Sequence, residues 1–175
     1  FKSDIFNYED SKKYDLVISM GVLHHTENCK KAFEKISKFV KPGGYLYVGL
    51  YHFYGRKPML DFLQGFARWH GIDSAYKLFS YMSKDMNNQQ HSFSWFRDQV
   101  LHPHETQHTF IELKEWVKNI GFKLKSTSIN NYDSLKNYSD QELSKIEKSF
   151  QQSSYRKNVL DLKFSPGYFT ICAQK

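Results

Sequence analysis

Tyr14-Asp15-Leu16-Val17-Ile18-Ser19 runs into Met20-Gly21-Val22-Leu23-His24-His25-Thr26, and Lys41-Pro42-Gly43-Gly44 leads into Tyr45-Leu46-Tyr47-Val48-Gly49-Leu50-Tyr51. The first run is short, apolar and rich in β-branched residues, as expected of a strand buried on both faces. Between the two runs Ala32, Phe33, Ile36, Phe39 and Val40 recur at helical spacing among lysines. Pro42 biases Lys41 away from helix, and the two glycines supply a turn into the second strand. The order strand, loop, helix, turn, strand is one βαβ unit, with parallel strands and a right-handed crossover.

Taken together, Tyr14–Ser19, Val22-Leu23-His24-His25-Thr26 and Val40-Lys41-Pro42-Gly43-Gly44-Tyr45-Leu46 resemble the fourth strand, following helix and fifth strand of class I S-adenosylmethionine-dependent methyltransferases. The resemblance implies an α/β fold, a Rossmann-like methyltransferase sheet whose parallel strands end in an antiparallel hairpin. It also implies that the sheet is N-terminally truncated. The family's first strand ends in a glycine-rich turn, and none of the nine glycines here forms a Gly-x-Gly. The acidic residue that grips the cofactor ribose after the second strand has no counterpart either. Residues 1–175 are therefore expected to be a single partial domain, the C-terminal part of a methyltransferase holding one wall of the S-adenosylmethionine pocket.

The bulk numbers agree with a globular domain. The 175 residues are 40% hydrophobic and 17% aromatic, enough for a substantial core. The net charge of +7 is spread over helix faces, which permits an anionic partner without demanding one. The two cysteines, Cys29 and Cys172, form no metal-type pair and fit a reducing, cytoplasmic setting. No apolar run is long enough to span a bilayer.

After Tyr51 a helical insertion, or lid, is expected over residues 52–108, following the fifth strand. Lys57–His70 reads as a helix with Pro58 in its first turn, Ala75–Met82 as a second, and Asn87-Asn88-Gln89-Gln90 as a loop. Phe93-Ser94-Trp95-Phe96-Arg97-Asp98 is an aromatic cluster that either walls a substrate site or packs the insertion. Thr109 and Glu112 fit a capping box opening the next helix. Phe122–Ile129 reads as a strand, Asp140–Phe150 as a helix, and Tyr168–Ala173 as the last strand.

Several residues are candidates for chemistry. By the resemblance, Asp4 and Ile5 lie near the adenine ring; Asp4 accepts from its exocyclic amine or else caps a local turn. Ser19, Met20 and Gly21 end the fourth strand beside the cofactor, and His24 and His25 follow on the substrate side. Either histidine is a base or a loop-packing residue. Tyr51, Trp95, Arg97 and His102 are candidate substrate contacts. His104-Glu105-Thr106-Gln107-His108 matches H-E-x-x-H, which holds zinc only when a helix stacks both histidines on one face. Here the capping box starts the helix at Thr109, after the motif, so no metal is expected. His104 instead joins the candidate bases in a His-rich segment that includes Asp98, His102 and Glu105.

The expected activity is methyl transfer from S-adenosylmethionine to a small-molecule or lipid-like acceptor. Ser19-Met20-Gly21-Val22 lacks the Asn/Asp-Pro-Pro-Tyr of base and glutamine amine methylation, and no Pro-Cys of cytosine C5 chemistry follows. A tRNA or other nucleic-acid methyltransferase, consistent with the basic balance, is an alternative that is not favoured. A non-catalytic methyltransferase-like binding module is another.

Overall fold

The computed structural model describes residues 3–84 and 92–175. The expected loop at Asn87–Gln90 lies outside the described residues. Two compact units emerge. The first comprises residues 1–51, 104–147 and 168–175, and the second residues 52–103 and 148–167.

The first unit holds a four-stranded mixed sheet. Its strands are β1 (Tyr14–Met20), β2 (Val40–Tyr51), β3 (Lys123–Thr127) and β4 (Tyr168–Gln174), in the order β1-β2-β4-β3. β1 and β2 are parallel, joined through helix α1 (Cys29–Ser37), as a βαβ unit requires. β4 runs antiparallel to both β2 and β3. The Pro42-Gly43-Gly44 turn sits inside β2 as a bulge, where the register slips between the Tyr14–Val40 and Leu16–Tyr45 pairs. Glycine is required there: a Cβ on Gly44 would stand 2.9 Å from the Asp15 carbonyl oxygen.

Alternation along the strands sorts the two faces. Leu46, Val48, Leu50, Phe169, Ile171 and Ala173 are buried, as are Phe33 of α1 and Phe110, Leu113, Trp116 and Val117 of α5 (Phe110–Asn119). The Phe33 and Trp116 rings meet at 5.7 Å. The other face is bare along β1: Leu16, Ile18 and Met20 are 52%, 59% and 42% exposed. The expectation of a strand buried on both faces therefore fails for β1. It is an edge strand, so one edge and one face are open to solvent.

β3 is shorter than the expected Phe122–Ile129. Thr127 donates its hydroxyl to the Thr170 carbonyl and accepts from the Ile129 amide, which ends the strand and starts a 3-10 turn at Ser128–Asn130. Thr109 caps α5 as expected, accepting from the Glu112 amide at 3.1 Å. The Glu112 carboxylate also meets the His108 ring and lies within reach of the Thr109 amide. A second box stands at Ser139 and Glu142, opening α6 (Asp140–Tyr155).

The second unit contains α2 (Phe53–His70), α3 (Ile72–Met82) and α4 (Ser92–Val100), with the residues that follow the first part of α6. Segment 104–108, expected within the insertion, groups with the first unit. α2 starts a turn earlier than expected, so Pro58 lies inside it, where the missing N–H and ring clash cost about 3 kcal/mol in an isolated helix. Tertiary packing outweighs this: Met59, Leu60, Leu63, Phe79, Phe96 and Phe164 form one core.

Arg56 is fully buried in that unit. Its guanidinium donates to the Gln99 side chain at 3.1 Å, the Gln99 carbonyl at 2.8 Å and the Pro166 carbonyl at 3.1 Å. Arg56→Met keeps the stem and removes this fork. We expect it to lower stability by about 2–4 kcal/mol, because each buried carbonyl deprived of its donor costs about 1–3 kcal/mol. Urea unfolding of the two proteins checks this; a loss under about 1 kcal/mol would contradict it.

Candidate functional site

The C-terminal ends of β1 and β2 converge with the N-terminal end of β4, and here the first unit gathers its polar and aromatic side chains. Gly21 leaves β1 with φ +72 and donates its amide to the Gly49 carbonyl at 3.2 Å. A Cβ on Gly21 would meet nothing within 4 Å, so open space lies beside it. The chain then makes a 3-10 turn over Leu23–His25.

The two histidines of that turn have different surroundings. His24 is fully buried, stacked on Tyr51 with ring centroids 3.9 Å apart. Its Nδ1 accepts the Tyr51 amide at 3.3 Å, which puts the ring proton on Nε2. His25 is half-buried and stands edge-on to Tyr51. Its Nδ1 lies 3.1 Å from the His104 carbonyl. A carbonyl only accepts, so Nδ1 carries the proton and Nε2 of the neutral ring carries the lone pair.

Segment 104–108 laces this turn to the sheet. Thr106 donates its amide to the His24 carbonyl at 2.9 Å, and His108 donates its amide to the Tyr51 carbonyl at 2.9 Å. The buried His108 ring bridges the Thr106 hydroxyl at 2.9 Å and the Glu112 carboxylate at 3.0 Å. The H-E-x-x-H segment therefore lies outside any helix, irregular up to a single bridge at His108. Among the described residues, no group of three or more His, Cys, Asp or Glu is placed to hold a metal ion.

Burial pushes the Glu112 carboxyl up, but the His108 hydrogen bond and charge, the Thr109 amide and Lys30 together hold it below the usual glutamate range. A depressed carboxylate stabilises the fold above its unfolded pKa and loses that contribution as pH falls through the folded one. The thermal midpoint of Glu112→Gln is thus expected to lie below wild type at neutral pH and to converge with it on acidification below the glutamate range. A constant gap across that range would refute the linkage.

Tyr168 was not foreseen from the sequence. It pairs with Tyr51 across β2 and β4, and its ring lies over Gly49: a Cβ there would meet the hydroxyl at 2.0 Å. The hydroxyl reaches the Met20 sulfur at 3.8 Å. Burial pushes Tyr168 up to about 12, the Gly21 amide pulls it partly back, and Tyr51 and Tyr47 raise it further. At neutral pH it is a phenol, a donor rather than a base. Gly49 was the readable signal, since glycine inside a strand marks a close approach; its partner, far along the chain, was not readable. Cys29, beneath this region, is pushed up to about 12, chiefly by burial, then by Glu112 and against a Thr106 hydrogen bond, and is no nucleophile.

Of the expected site residues, Ser19, Met20, Gly21, His24, His25 and Tyr51 are brought together. His104 joins them through its main-chain carbonyl, with its ring exposed. Asp4 turns the chain at 4–8, its carboxylate accepting the Phe6 amide at 2.8 Å, and Ile5 lies half-buried in that turn. Trp95, Arg97 and His102 belong to the second unit. Trp95 packs against Phe79 at 5.0 Å and Phe164 at 5.1 Å, while Arg97 and His102 line a depression of about 300 Å³.

Comparison with known proteins reaches the same fold. Residues 2–48 match the methyltransferase domain family. A 45-residue stretch is 36% identical to a mitochondrial ubiquinone biosynthesis O-methyltransferase of Dictyostelium discoideum, covering 26% of this chain and 14% of that protein. The solved structure of PKMT2 from Rickettsia typhi in complex with AdoHcy superposes at TM-score 0.61 with 14% identity, over 98% of this chain and 37% of that one. A Mesorhizobium loti S-adenosylmethionine-dependent methyltransferase aligns at TM-score 0.48 and 12% identity, over 99% of this chain and 67% of that one. The chain thus spans about a seventh of the curated relative and little over a third of the Rickettsia structure. It carries the fold of class I S-adenosylmethionine-dependent methyltransferases, and among the described residues no helix is long and apolar enough to cross a membrane.

Proposed function

We propose that this chain forms the acceptor side of an S-adenosylmethionine-dependent methyltransferase acting on a small-molecule or lipid-like acceptor, with His25 as the general base. The carrying observation is the orientation of His25 by the His104 carbonyl, which leaves Nε2 as the lone-pair nitrogen at the end of β1. The bare face and open edge of β1 support the reading that further strands of a larger sheet belong beside it.

The residues present suit one wall of a cofactor site. The space beside Gly21 admits a ligand against the backbone, and Ser19 and Met20 flank it. Asp4 and Ile5 remain assigned to the adenine ring by the resemblance. When bound, S-adenosylmethionine supplies a methyl group on a sulfonium sulfur, open to in-line attack. The protein's own part is positioning and proton handling. His25 Nε2 takes the proton from an acceptor hydroxyl or amine as its lone pair is committed to the new bond. His24 and Tyr51, stacked and hydrogen-bonded, hold the turn that carries His25. The partly exposed, protonated Tyr168 offers an aromatic surface to an apolar or planar acceptor, with the buried Tyr51 ring behind it, and placing the nucleophile in line supplies much of the rate.

The test is calorimetry of S-adenosylmethionine binding to the intact protein that contains this chain. It is followed by transfer of radiolabelled methyl to the organic-extractable and macromolecular fractions of a cell extract. Binding with label in the extractable fraction is expected. Absence of binding would defeat the methyltransferase reading, and label confined to RNA would move the acceptor to nucleic acid.

A further inference from the structure

A cavity of about 790 Å³ opens within the second unit, between α2 and the chain at the C-terminal end of α6. That volume lies in the range of small-ligand sites. Its lining surface is mostly apolar, with Pro58 and Phe62 from α2 and Tyr155, Val159 and Leu160 from the other side. Lys57, Asp61, Gln151, Gln152 and Arg156 complete the lining. None of its lining residues belongs to the first unit, which holds His25.

The wall is built rather than loose. α6 ends in a π-helical turn over Arg156–Leu160, a departure frequent at functional positions. Asn158, fully buried, pins that turn: its amide donates to the Ser154 carbonyl at 3.0 Å and the Ser165 carbonyl at 3.1 Å, and its oxygen accepts the Ser165 amide at 2.9 Å. Leu162 follows in a left-handed conformation, φ +48, unfavourable for a side chain with a Cβ. A buried polar clamp and a strained residue thus hold a turn that leaves Leu160 66% and Tyr155 51% exposed. Water is a poor partner for that surface.

Charge selects the occupant. The second unit carries ten lysines and arginines against five aspartates, an excess of five within the chain's total of +7. Within that lining Lys57 pairs with Asp61 at 3.2 Å, which neutralises the one carboxylate there, whereas Arg156 reaches Asp161 only at 4.0 Å and is largely solvent-facing. A guanidinium so placed recognises a planar carboxylate or sulfonate.

We propose that this cavity binds a small amphiphilic anion. Its apolar chain or ring lies along Pro58, Phe62, Val159 and Leu160, and its carboxylate is received by Arg156 and Lys57. Titration of octanoate into the intact protein, followed by calorimetry and by amide chemical shifts of residues 57–62 and 155–160, tests it. Saturable binding is expected, weakened about tenfold or more in each of Leu160→Asp and Arg156→Ala. Octylamine, the same chain with the opposite charge, is expected to bind weakly or not at all. Both substituted side chains are exposed, so unchanged unfolding midpoints are expected. Should Leu160→Asp misfold, Arg156→Ala alone decides. Absence of octanoate binding, binding indifferent to Arg156→Ala, or equal binding of octylamine would overturn the proposal. So would Leu160-dependent sedimentation with phosphatidylglycerol vesicles without octanoate binding, which would assign the surface to a membrane.

Discussion

Replacing His25 by asparagine is expected to lower methyl-transfer turnover about 10²–10⁴-fold, the usual contribution of a positioned general base. Affinity for S-adenosylmethionine, read by calorimetry, is expected to stay unchanged. Asparagine keeps an N–H donor for the His104 carbonyl, so the turn over Leu23–His25 is preserved while the basic nitrogen is lost. The paired experiment is His24→Asn. His24 is buried, accepts the Tyr51 amide and stacks on the Tyr51 ring, so its loss is expected to lower the unfolding midpoint as well as activity. A His25→Asn protein that turns over at the wild-type rate, or that loses cofactor binding in proportion, would remove His25 from the role of base. The effect would then belong to local structure.

Gly167→Ala is expected to be the most damaging single-methyl change, costing more than about 3 kcal/mol, at the upper end for overpacking. An ideal Cβ there would stand 2.2 Å from the Gly55 carbonyl carbon, 2.3 Å from the Arg56 nitrogen and 2.4 Å from the Gly55 oxygen. These are backbone atoms of α2, which cannot step aside as a side-chain end can. Gly167 also sits at φ +64, so alanine adds conformational strain to the clash. Its own carbonyl accepts the His52 amide at 2.8 Å, and Pro166 beside it accepts from Arg56, so displacement loosens the start of α2 as well. Gly65→Ala is the control in the same helix. A Cβ there meets nothing within 4 Å, and relief of glycine's entropy is expected to stabilise by about 0.5–1 kcal/mol. Urea unfolding of the three proteins measures both signs. A Gly167→Ala protein within about 1 kcal/mol of wild type would mean that the contact relaxes.

The βαβ unit was legible because its signals are local. Tyr14–Ser19 alternates little and is β-branched, Phe33 and Ile36 keep helical spacing, and Pro42 with Gly43 marks the break. The same local logic placed Thr109 before α5 and misjudged α2, where a proline suggested a helix start that lies a turn earlier. It missed the box at Ser139 and Glu142, although that pattern was equally readable. Arg56 was illegible for another reason: nothing in its neighbourhood distinguishes a buried arginine from a solvated one, because its acceptors lie 43 and 110 residues away.

The candidate site divides along the same line. Residue order alone placed Ser19–Thr26 at the end of a parallel strand, where sheets of this class bind ligands, and put His24 and His25 beside each other there. It could not tell the two histidines apart. An imidazole's chemistry depends on what each ring nitrogen faces, and those partners come from distant segments. The Tyr51 amide fixes His24, and the His104 carbonyl, 79 residues on, fixes His25. The elements and their polarity are readable from residue order, because hydrophobic periodicity and backbone preference act over a few residues. Which nitrogen holds a proton, and that Tyr168 fills the space left by Gly49, emerge only in the folded chain, because hydrogen bonding and close packing join residues regardless of their separation along it.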